Sequence, residues 1–90
     1  MSDEMRDFID SLELPYEGEE GDNNYILNLN SSNEFSKVFD LIDTNKDLFI
    51  KGESKATGDE TSFRFTDGIY DVVLNANYDK DIYQVVVEVE

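Results

Sequence analysis

The sequence predicts an α+β fold: two layers in the order α-β-α-β-β-β-β, with an antiparallel meander and two helices on one sheet face. Three observations predict it. Two segments in the first half carry apolar residues at helical spacing. From Leu48 onward the apolar period shortens to two. Turn-forming residues then divide the second half into strands short enough to pair as hairpins.

Residues 2 to 13 read as the first helix. Ser2 is placed to cap it, and Met5, Phe8, Ile9 and Leu12 form one apolar stripe at i, i+3, i+4 and i+7. Asp3, Asp7 and Asp10 then share the opposite face. Leu14-Pro15 ends the helix, because proline disfavours helical geometry in the residue before it. A polar, glycine-punctuated loop over residues 16 to 24 follows. Tyr25 to Asn30 alternates as a strand with Tyr25, Leu27 and Leu29 inward. The second helix has a strong start signal: Ser31 and Glu34 stand in the S-x-x-E relation of a capping box, ahead of the stripe Phe35, Val38, Phe39 and Ile42.

Four strands are expected after it, at Leu48 to Lys55, Ser62 to Thr66, Ile69 to Asn77 and Ile82 to Glu90. TGDE turns the first into the second, Asp67-Gly68 reads as a two-residue hairpin turn, and Tyr78 to Asp81 precedes the last. In that last strand Tyr83, Val85, Val87 and Val89 face inward, leaving Gln84, Val86, Glu88 and Glu90 on the other face. The sheet face away from the helices is expected to be wet and acidic.

The chain has 90 residues, 39% of them hydrophobic and 12% aromatic, which suits one small core and hence one domain over 1-90. No apolar run approaches the ~20 residues of a membrane span, and no basic-then-apolar leader opens the chain, so a soluble, cytoplasmic protein without membrane partners is expected. Cysteine and histidine are both absent. Their absence removes thiolate nucleophiles, zinc-thiolate sites and the commonest general base together, so neither an enzyme nor a cofactor is expected.

Two short stretches resemble known motifs. DTNKDLFIKGES, residues 43 to 54, resembles the calcium loop of EF-hand proteins: Asp43, Asn45 and Asp47 alternate, Ile50 stands as the apolar pin, and the helix FSKVFDLID precedes it. That family needs glycine at the sixth loop position and glutamate at the twelfth, where this chain has Leu48 and Ser54, with Glu53 one residue early. A strand pattern also follows where the second helix belongs. The bland reading, a helix end and strand start with exposed acids, is therefore preferred, and no metal site is assigned. DSLEL, residues 10 to 14, is similar to the prosthetic-group serine motif of acyl carrier proteins, yet Ser11 closes a short helix here instead of opening one. Asp79 with Asp81, and Asp67 with Asp71, are carboxylate pairs lacking a convergent third ligand, and they read as turn residues.

Charge is the outlying property: 22 acids against 7 bases give −15. Nine of those acids and one base, Arg6, lie in residues 1 to 22, for a net of −8. Direct binding of nucleic acid is excluded on that balance, since phosphate recognition needs positive charge. Salt adaptation fits less well, because the lysine, asparagine, isoleucine and tyrosine usage is that of an A+T-rich genome. Two readings remain. Acids two apart on a strand repeat every ~6.6 Å, and acids three or four apart on a helix lie ~5–6 Å apart, both near the phosphate spacing of a nucleic-acid strand. In size, charge and lack of catalytic residues the chain resembles small phage proteins that mimic DNA, including some anti-CRISPR and anti-restriction inhibitors. That resemblance is of class and covers composition instead of any alignable segment. It implies an inhibitor acting in the host cytoplasm, whose partner is a basic nucleic-acid-binding protein or nuclease such as a CRISPR effector. The alternative is an immunity protein or antitoxin that neutralises a basic toxin. Either partner would be met by Asp3, Asp7 and Asp10 on the helix, Glu17, Glu19, Glu20 and Asp22 in the loop, and Asp59, Glu60, Asp79 and Asp81 at the turns, each accepting hydrogen bonds from Arg or Lys. Phe49, Tyr70, Tyr78 and Tyr83 are the candidate aromatic anchors, with core packing the simpler role for most.

Overall fold

A computed structural model describes the backbone of residues 1–90 and the side chains of residues 1–52 and 58–90. The side chains of Glu53 and Ser54, which figure in the calcium-loop comparison, fall outside those described.

The first helix, α1 (Asp3–Ser11), starts where its cap dictates: the Ser2 hydroxyl accepts from the Met5 N–H at 3.2 Å. Asp3 and Glu4 in the first turn complement the helix dipole. The helix ends at Ser11, two residues before the expected residue 13, because Glu13 adopts a left-handed conformation (φ 53°) that carries the chain away before Pro15. Met5 and Leu12 are buried, with Phe8 and Ile9 packed against the same core.

The expected loop contains a short strand, β1 (Glu19–Glu20), antiparallel to β2 (Asn24–Leu29). Gly18 permits this approach. Its N–H donates to the Tyr25 hydroxyl at 2.6 Å, and a Cβ there would collide with the Ile26 carbonyl oxygen and lie 2.9 Å from the carbonyl carbon. Because the obstacle is backbone, Gly18→Ala is expected to detach residues 17–22 from β2. Backbone amide exchange at Glu19 and Glu20 should rise sharply, with a stability loss of about 1–3 kcal/mol, while α2 and the central strands keep their protection.

The second helix, α2 (Ser32–Asp43), is capped as the sequence indicates. The Ser31 hydroxyl accepts from the Glu34 N–H at 3.2 Å. The Glu34 carboxylate reaches one residue further back than the usual box, accepting from the Asn30 N–H at 3.1 Å. Strands β3 (Phe49–Thr57), β4 (Glu60–Thr66), β5 (Tyr70–Asn77) and β6 (Ile82–Val89) form the expected meander. One turn differs from expectation. Asp67–Ile69 is a three-residue connection, since the Asp67 carboxylate accepts from the N–H groups of both Ile69 and Tyr70, each at 2.8 Å, and Gly68 takes φ 98°.

The six antiparallel strands lie in the order β1-β2-β6-β5-β4-β3. β2 pairs with β6, so α2 must carry the chain across one sheet face to reach β3 at the opposite edge. Both helices occupy that face. Phe8 of α1 stacks on Tyr70 at 4.8 Å, while Phe35 and Phe39 of α2 meet Tyr83 at 5.7 Å and Phe63 at 4.8 Å. The strand register sets Leu27, Val85, Leu74 and Phe63 in one inward row and Tyr25, Val87, Val72 and Phe65 in the next. Val89, expected in the inward series, is exposed at the sheet end.

Candidate acidic interface

The nine acids of residues 1 to 22 are all exposed; they lie on α1, on β1 and in the loops beside them, and the Arg6–Glu20 bond ties α1 to β1. Asp3, Asp7 and Asp10 lie along the outer side of α1. Arg6, on the same helix, reaches β1 and grips the Glu20 carboxylate with both Nε (3.3 Å) and Nη2 (3.2 Å). Asp3 lies 4.0 Å from the same guanidinium. The Glu20 hydrogen bond, aided by the nearby charges of Glu20, Asp3 and Asp10, pushes Arg6 above its ordinary value. Glu20 is therefore already neutralised within the chain. Pairing also separates the two β1 acids: Glu20 stands opposite Tyr25 on the helix face, whereas Glu19 stands opposite Ile26 on the other. Glu17 shares a concavity of about 190 Å³ with Asp10, Glu13 and Tyr25, and Asp22 projects from the turn into β2.

The remaining expected contacts form a second group at the far end of the sheet. The Tyr78 N–H donates to the Asp59 carbonyl at 2.8 Å, tying the β3–β4 turn to the β5–β6 turn. Asp59, Asp79 and Asp81 are exposed there, while Glu60 accepts from the Asn77 amide at 2.8 Å. The eight residues of β5 separate this end from Tyr70, where α1 packs, by about 23 Å. The acids thus make two patches instead of one continuous row. Of the aromatic candidates, Tyr70 and Tyr83 are core residues, and burial together with Asp81 pushes the Tyr83 hydroxyl above its ordinary value. Phe49 and Tyr78 are more than half exposed.

Among the described residues, the uncovered sheet face mixes its acids with neutral polar groups and with bases that pair them. One cross-strand row is Asn28, Gln84, Asn75 and Ser62, with Gln84 donating to Asn28 at 3.2 Å and Ser62 to Asn75 at 2.7 Å. Further along the same face, spanning the row of Arg64 and the row of Asp71 and Glu88, lies an ion-pair network that sequence reading missed. Arg64 donates from Nη1 to Asp71 at 2.6 Å and to Glu88 at 3.1 Å, while Lys51 lies 3.5 Å from Asp71 and 2.8 Å from Glu90. Burial pushes the Asp71 carboxyl up, but the hydrogen bond from Arg64 and the charges of Lys51 and Arg64 outweigh it and hold the group below its ordinary value. The available signal was a lone charge in the apolar run YDVVL, since acids in central strands stay buried only when paired. The reading of Asp67 and Asp71 as a pair of turn residues is corrected accordingly: Asp67 caps the turn and Asp71 lies within β5.

In the segment that resembles a calcium loop, the Asn45 side chain accepts from the Asp47 N–H at 2.9 Å, and β3 follows in place of a second helix. Among the described residues no three acidic side chains converge on a common point, and no helix is long and apolar enough to cross a membrane. A further concavity of about 190 Å³, unforeseen from sequence, opens between α2 and β4 and is lined by Phe35, Ser36, Phe39, Asp40, Phe63 and Tyr78. Comparison with known protein families, curated proteins and solved structures finds no match for this chain.

Proposed function

We propose that this chain is an acidic inhibitor that occupies the nucleic-acid groove of a basic protein, a defence nuclease such as a CRISPR effector being the kind of target its charge suits. The observation that supports this reading is the concentration of nine exposed carboxylates in residues 1 to 22, on elements held by β1 pairing and by the Arg6–Glu20 bond. Ordered carboxylates hydrogen-bond to arginine and lysine as phosphate oxygens do. A net charge of −15 steers encounter with a cationic cleft, more strongly as salt falls. The preformed scaffold lowers the ordering cost of binding.

The test begins with capture of the target from host lysate. Its binding to labelled DNA or RNA is then measured by anisotropy against increasing concentrations of the chain. Competitive displacement is expected. The variant E17K/E19K/D22K should slow association by about 10-fold or more at low salt, with a smaller effect on dissociation. Glu20 is left intact in that variant because it holds Arg6. A ternary complex, with nucleic acid still bound at saturating inhibitor, would remove the decoy reading and favour an immunity protein that acts away from the toxin's groove.

A further inference from the structure

We propose that the concavity between α2 and β4 receives an arginine side chain of the basic partner, making Tyr78, Phe39, Phe63 and Asp40 a specific anchor at the end of the molecule away from α1. This inference deepens the inhibitor reading and rests on it for the partner's positive charge. Four aromatic residues line the site, and each is held from behind. Phe39 sits edge-on to Phe63 at 4.8 Å and to Phe65 at 6.1 Å, Phe35 packs on Tyr83, and Tyr78 leans on Tyr83 at 5.8 Å. The Tyr78 backbone is fixed by its bond to Asp59. Phe39 and Phe63 remain half-buried and Tyr78 is 51% exposed, so ring surface is open to a ligand.

The polar wall identifies that ligand. Ser36 and Asp40 lie one helical turn apart on α2, and among the described residues neither side chain has a hydrogen bond or ion pair. An apolar guest would gain nothing from a carboxylate beside it and would impede its solvation. A lysine ammonium is a compact, strongly hydrated charge that uses ring faces less well. A guanidinium is planar and weakly hydrated; it stacks on an aromatic face while donating a forked pair of hydrogen bonds to one carboxylate. Asp79 and Asp81 on the adjoining turn add negative potential at this end of the sheet. Buried aromatic and arginine contacts of this kind dominate interface energetics, whereas exposed charges mainly set the association rate.

The test is an NMR titration of the labelled chain at roughly 0.3 M salt, where the Debye length is well under 10 Å and diffuse attraction is screened. The probes are N-acetyl-arginine amide, N-acetyl-lysine amide and N-acetyl-leucine amide. The expected result is shifts concentrated on Phe39, Asp40, Phe63 and Tyr78, with arginine binding at least about 5-fold tighter than lysine. Asp40→Asn should remove most of that binding, whereas Asp43→Asn, which deletes the same charge from the end of the same helix, should not. Equal losses in the two variants, shifts spread over α1, or preference for the leucine probe would overturn the proposal. In the competition assay, Tyr78→Ser is expected to speed dissociation from the target with little change in association rate. A Tyr78→Ser variant that competes as well as the parent sinks the anchor and leaves the inhibitor reading standing. A positive arginine titration without nucleic-acid displacement keeps the anchor and removes the inhibitor.

Discussion

Replacing Asp71 with alanine is expected to lower the unfolding free energy by about 2–3 kcal/mol, or ~10–20 °C in Tm for a domain of this size. Removing one member of a buried ion pair commonly costs ~3–5 kcal/mol; the lower figure applies because the Arg64 and Lys51 side chains are each 40% exposed and turn to water when their partner is lost. The carboxylate is itself only 2% exposed and among the described residues its Oδ1 has no hydrogen-bond partner, so its stabilisation rests on the cationic side of the network. Replacing both members of the pair, Asp71→Val with Arg64→Met, should cost less than Asp71→Ala alone, because no unpaired charge remains against the sheet. The pH dependence follows from the direction of the shift. A carboxyl depressed in the folded state contributes stability above its unfolded value of about 3.9, and that contribution is lost as pH falls through the lower folded value. The gap between parent and Asp71→Ala should therefore stay constant from about pH 5 to 8 and close below about pH 4. Urea denaturation across that range measures it, and a gap that does not narrow at all below pH 4 would assign the loss to packing.

At pH 7 the parent chain should melt markedly higher in 0.5 M than in 0.02 M sodium chloride. The rise should be of the order of 4–8 °C, the shift that ~1 kcal/mol produces in a domain of 60–100 residues. The cause is the crowding of residues 1 to 22. Unfolding spreads their charges apart, whereas α1 and β1 hold them together, and salt screens the folded state's repulsion over about 10 Å at 0.1 M and less above it. The E17K/E19K/D22K variant relieves the same repulsion covalently, so its salt response should be visibly flatter than the parent's. Equal slopes would place the repulsion elsewhere on the molecule.

Local features were legible in proportion to how local their physics is. Ser2 and the Ser31–Glu34 pair cap the helices they precede, and the stripes around Phe8 and Val38 face the core, because a capping bond or a helical face is settled within one or two turns of chain. The meander could be read from the two-residue period. β1 could not: Glu19-Glu20 carries no hydrophobic pattern, and the strand depends on Gly18 and the Tyr25 hydroxyl, seven residues apart in sequence. The turn at Asp67 was misjudged by one residue because aspartate satisfies two N–H groups that a tighter turn leaves no room for. The ion pairing on the open side of the sheet was missed for a different reason: Lys51, Arg64, Asp71 and Glu88 meet only through the register of four strands.

The amount and sign of charge, its surplus in the first quarter of the chain, the helix starts and the α+β class belong to the sequence alone, because composition and short-range periodicity survive without any contact. Which carboxylates stand free, which are already neutralised by Arg6, Lys51 or Arg64, and which rings border Asp40 were decided by tertiary structure. Those facts depend on residues brought together across 7 to 39 positions, and in an acidic chain with few bases each such ion pair determines how much of the surplus remains for a partner.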